Sequence, residues 1–157
     1  MWLTFGLALA GFIVAGARNE GAVESLHTVT AVVVGGVGVV SFFRHAVFAR
    51  SDAARMGWSG EGGSNFQLEV GFANLAFGLA ALIAHFEDWG TGAEVAATLG
   101  YGIYLLQAAL LHLWNAVFRG ERAKSRILVG IVSSFGIAGG LIYTALNAAE
   151  AVSLGPF

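Results

Sequence analysis

The chain has no cysteine, a single proline and few charges: Asp, Glu, Lys and Arg make up only 11% of its 157 residues. Without cysteine there are no disulfides, thiolate nucleophiles, thiolate-held metals or iron–sulfur clusters. The one proline, Pro156, lies beyond the last apolar run, so no long apolar helix carries a proline kink. Soluble domains carry about 25% charged residues, and a chain with so few cannot clothe a water-facing surface. Eight basic against ten acidic residues give a net charge of −2. With no basic face to neutralise phosphates, nucleic acid is excluded as a partner.

What is abundant is apolar. Hydrophobic residues make up 57% of the chain and glycine contributes 23 positions, a combination suited to helices packed closely in lipid. Five apolar segments, at residues 2–17, 27–49, 67–86, 93–118 and 127–149, are each near the roughly 20 residues that cross a bilayer. The first is the shortest. Met1–Phe5 lacks the positive charge a signal peptide needs, so it reads as a spanning helix. Short connections make neighbouring helices antiparallel. The expected fold is therefore an all-α integral membrane bundle of five transmembrane helices forming one domain, 1–157.

Charge asymmetry gives the orientation. Arg44, Arg50, Arg55, Arg119, Arg122, Lys124 and Arg126 fall on one side of the segments, and Arg18 alone falls on the other. Glu20, Glu24, Glu87, Asp88, Glu94 and Glu150 gather with Arg18. Basic residues mark the cytoplasmic side, so the N-terminus is expected inside and the C-terminus outside, in a multi-pass cell-membrane protein.

Two segments open on polar residues with a local explanation. Ser64-Asn65-Phe66-Gln67 and Thr91-Gly92-Ala93-Glu94 fit the capping box, in which the fourth side chain reaches back to the cap. At about 100° per residue, Gln67, Gly71, Asn74, Gly78 and His85 share a packed face. Glu69, Ala73, Ala76 and Ala80 form a second small face. In the next segment Tyr101, Tyr104, Ala108, His112 and Asn115 point inward. Gly136-x-x-x-Gly140 in the last permits close helix approach.

Arg44, His45, Glu69, Asn74, Tyr104, His112 and Asn115 all fall toward the cytoplasmic half and outline a candidate binding pocket. Arg44 and Glu69 lie at similar depth and are expected to pair. The histidines suggest a second use. His27 and His45 sit about 27 Å apart on one helix, with His85 and His112 at matching levels on others, as two b-type haems would require.

The run ARMGWSGEGGSNFQLEVGFANLAFG, between Arg44-His45 and His112, resembles a family of small prokaryotic membrane proteins of unknown function. The matching positions are Gly57, Trp58, Phe66, Gln67, Glu69, Val70, Gly71, Ala73, Asn74 and Leu75, with Asn65 in place of an expected proline. The resemblance implies architecture and no activity. The expected function is a non-catalytic subunit or small-molecule-binding module, in contact with lipid and with other membrane subunits or further copies of itself. A haem b electron-transfer protein is one alternative; an enzyme using His112 and Glu69 as acid and base is the other.

Overall fold

A computed structural model describes residues 2–18, 20–56, 65–118 and 125–154. Ser64, the Gly57–Gly63 loop, Arg119, Arg122 and Lys124 lie outside the described residues. The chain is all-α, built from α1 (Trp2–Arg18), α2 (Ala22–Val47), the short α3 (Ala49–Met56), α4 (Asn65–Phe86), α5 (Thr91–Phe118) and α6 (Ser125–Ser153). All five expected segments form helices. Among the described residues four stretches, Ala22–Val47, Asn65–Phe86, Thr91–Phe118 and Gly130–Ser153, are long and apolar enough to cross a membrane. At 17 residues, α1 is shorter, about 25 Å.

Helix α2 is the central post. Half of its most apolar stretch is buried, against 22–28% for the other three long helices. It packs against α1, α4, α5 and α6. Two stretches of it, Val29–Gly36 and Phe43–Val47, are wound as π-helix. A π turn takes up an extra residue and so shifts the phase of every later side chain. Five of the eight residues Val29–Gly36 are buried, more than one face of an α-helix presents. The helix breaks at Phe48 (φ −100°, ψ 28°), and α3 begins as the Asp52 N–H bonds to the Phe48 carbonyl at 3.0 Å.

Helices α2 and α4 touch backbone to backbone. A Cβ on Gly38 would lie 2.6 Å from the Asn74 carbonyl oxygen and 2.8 Å from Gly78 Cα, so only glycine fits. This is the close approach expected of Gly136 and Gly140, and it lies elsewhere. A Cβ on Gly136 would have nothing within 4 Å, while Gly140 makes room for the Phe12 ring of α1. On α4 the buried residues are Gln67, Gly71, Asn74, Gly78, Ala81 and Ala84; four of them belong to the expected polar and small stripe, whose fifth member, His85, is half-buried. The second small face is not packed: Glu69, Ala76 and Ala80 are exposed and Ala73 is half-buried, because α2 and α5 both meet α4 along the buried stripe.

Candidate functional site

The first turn of α5 sets the site at one end of the bundle. Gly90 precedes it with φ 87°, a left-handed conformation that glycine adopts without strain, and its carbonyl accepts the Ala93 and Glu94 N–H groups at 3.0 and 3.4 Å. The capping box expected of Thr91 and Glu94 is not made. The Glu94 side chain turns inward instead and is 3% exposed. A buried carboxylate is costly unless paired, and here two imidazoles pair it. His27 Nδ1 of α2 donates to Glu94 Oε2 at 2.8 Å, and His85 Nδ1 of α4 donates to Oε1 at 3.1 Å. The rings are 6.0 Å apart at 52°, and both are partly exposed. One turn deeper the Thr30 and Thr98 hydroxyls bond at 2.8 Å and floor the site.

The opposite end of α2 carries the second cluster. Asp52 of α3, 1% exposed, takes Arg44 Nε on Oδ1 at 2.8 Å. His45 Nδ1 lies 2.8 Å from Oδ2, off the line of a good hydrogen bond. Burial raises the pKa of this carboxyl, but the His45 and Arg44 contacts outweigh burial and hold it well below the usual carboxylate range. The expected Arg44–Glu69 pair is therefore overturned: Glu69 is exposed, and Asp52 is the counter-ion. Nor does Gln67 act only locally, since its Nε2 donates to the Ala49 carbonyl at 3.0 Å and ties α4 to the start of α3.

Between the two ends lies a polar layer on α4 and α5. The Tyr101 hydroxyl donates to Asn74 Oδ1 at 2.8 Å. Asn74 Nδ2 donates to the Tyr104 hydroxyl at 3.1 Å and to the Val70 carbonyl at 2.7 Å. The two tyrosine rings stack 6.0 Å apart.

The expected pocket residues thus divide. Asn74 and Tyr104 meet, Arg44 and His45 share Asp52, and Glu69 faces out. His112 and Asn115 are half-buried on α5, with Asn115 Oδ1 buried and lacking a hydrogen-bond partner among the described residues. Helix α2 meets α5 mainly through its Ala22–Gly36 half, so the ends bearing His45 and His112 are not packed together. Nor do His27 and His85 face each other across an open gap. The Glu94 carboxylate lies between their rings and bridges the two Nδ1 atoms, one oxygen to each.

Two residues central to these sites, Glu94 and Asp52, were not among the expected ones. Glu94 had a local use in the cap pattern. Asp52 lies in a polar stretch between spanning segments, where only its eight-residue distance from Arg44 hints at pairing. No curated protein and no solved structure matches the chain. A family model does, over residues 1–152, and the chain belongs to that family, described as a family of unknown function (DUF6790).

Proposed function

We propose that the chain is a multi-pass cell-membrane protein that works by binding rather than by catalysis, with the His27–Glu94–His85 end as its working end. Lipid surrounds it, and other membrane subunits or further copies of the chain are its partners. The observation that carries this reading is the buried Glu94 carboxylate clasped by two half-exposed imidazoles on three separate long helices. A site built on rigid elements, yet open on one side, is suited to hold a ligand. The inner cluster has the character of a scaffold: Arg44 cannot shed its charge and Asp52 is buried to neutralise it.

The two clusters respond differently to loss of the acid. Histidines can become neutral, so Glu94→Gln leaves no stranded charge. Its unfolding midpoint in detergent should stay within about 4 °C of wild type, equivalent to about 1 kcal/mol for a chain of this size. A collapse as deep as that caused by removing Asp52 would make the triad part of the scaffold and overturn the reading.

The basic side is read as cytoplasmic, which puts the two termini on opposite faces and the triad near the outer surface. A reporter fused after Phe157 should be active only on the periplasmic or extracellular side. Cytoplasmic activity would reverse the orientation.

A further inference from the structure

We propose that His27, His85 and Glu94 form a binding site for a divalent transition-metal ion of the zinc class. The inference rests on the reading of this end as the working end, and gives its ligand a chemical class. One ring nitrogen from each histidine and one Glu94 oxygen all lie within 4.8 Å of one another. Each ring already has one carboxylate oxygen in reach, His27 Nδ1 at 2.8 Å from Oε2 and His85 Nδ1 at 3.1 Å from Oε1, against the roughly 3.4 Å between donors around a tetrahedral ion with bonds of about 2.1 Å. Gathering both rings and one oxygen around a single ion requires the side chains to rotate inward from within 4.8 Å, and the partial exposure of both rings leaves them room to do so.

The donor set decides the class. Two imidazoles and one carboxylate suit zinc and its divalent neighbours, whereas magnesium and calcium take oxygen ligands and favour several waters. Metal entry moves each neutral ring's proton from Nδ1 to Nε2, so no proton is stranded in the bundle. The buried carboxylate then exchanges two weak partners for a cation, the stronger solution for a charge 3% exposed. The Thr30–Thr98 bond closes the inner side, and the exposed flank of His27 leaves a fourth coordination position open. Acids at the same end, Glu20, Glu24, Glu87 and Asp88, raise the local concentration of cations.

The test is titration of Zn²⁺ into the full chain in detergent, purified through a tag without histidine. Saturable binding of about one equivalent is expected, unaffected by excess Mg²⁺. His27→Asn, His85→Asn and Glu94→Gln should each weaken it by about a hundredfold. Glu150→Gln, an acid near Ala22 and Ser25 but outside the triad, should leave it unchanged. Cobalt(II) bound to the wild-type chain reports on the site without requiring any variant to fold: visible bands of a low-coordinate nitrogen and oxygen site are expected. An unchanged aqueous cobalt spectrum, no saturable zinc binding, or binding indifferent to the triad substitutions overturns the metal site. The Glu94→Gln unfolding midpoint is a separate readout, so the metal can fail while the working end stands.

Discussion

Asp52→Asn should lower the stability of the bundle by about 3 kcal/mol, measured by thermal or denaturant unfolding in detergent at neutral pH. Removing one partner of a buried ion pair costs about 3–5 kcal/mol because the other charge is stranded. The lower end applies, since Arg44 is 21% exposed and keeps some contact with solvent. An Arg44→Met/Asp52→Leu double variant should recover most of the loss, because no charge is then left behind; failure to recover would count against the pairing. The effect has a pH signature. The Asp52 pKa is depressed from its ordinary 3.8, so its contribution is complete above about pH 4 and is lost as pH falls through the folded-state value. Wild type and Asp52→Asn should therefore converge in strong acid.

Gly38→Val should be at least as damaging. The atoms a side chain would strike, the Asn74 carbonyl oxygen and Gly78 Cα, are backbone and cannot rotate away. Overpacking typically costs about 1–3 kcal/mol, and a clash of two helix backbones belongs at or above the top of that range. Forcing α2 from α4 also displaces Asn74, which holds both Tyr101 and Tyr104. Gly136→Ala is the matched control. Nothing lies within 4 Å of its added methyl, so its midpoint should equal or slightly exceed that of wild type. Equal midpoints for Gly38→Val and wild type would remove the close contact as a determinant of the packing.

The long helices were legible because a chain this apolar and this poor in charge leaves few alternatives. The buried stripe Gln67–Gly71–Asn74–Gly78 was legible too, since α4 is a regular helix and obeys its period. Phase counting is least secure along α2, where the π stretches rotate later side chains away from their α-helical bearings, and Arg44 sits within the second of them. Its depth was readable and its partner was not. His27 and His85 do lie at one level, and the group the structure places between them is the Glu94 carboxylate. Glu94 was hidden by a plausible local role: Thr91-x-x-Glu94 is a complete cap pattern, and nothing in it reports a histidine 67 residues earlier. Sequence periodicity says which face a residue occupies, not which distant residue meets it there.

The placement of α2 at the centre also bears on how the chain is made. On the membrane reading proposed above, it enters the bilayer before α4 and α5 have been synthesised. Its two ends acquire their partners at different times. Arg44 waits only eight residues for Asp52, so the charge most costly to leave bare is neutralised while the ribosome is still completing the next loop. His27 and Thr30 wait 67 and 68 residues for Glu94 and Thr98. Until α5 arrives, the His27 end of the newborn helix must keep its imidazole and hydroxyl in hydrated surroundings, where an unpaired polar group costs little. On that reading, assembly closes the Arg44–Asp52 end first and the candidate ligand site last.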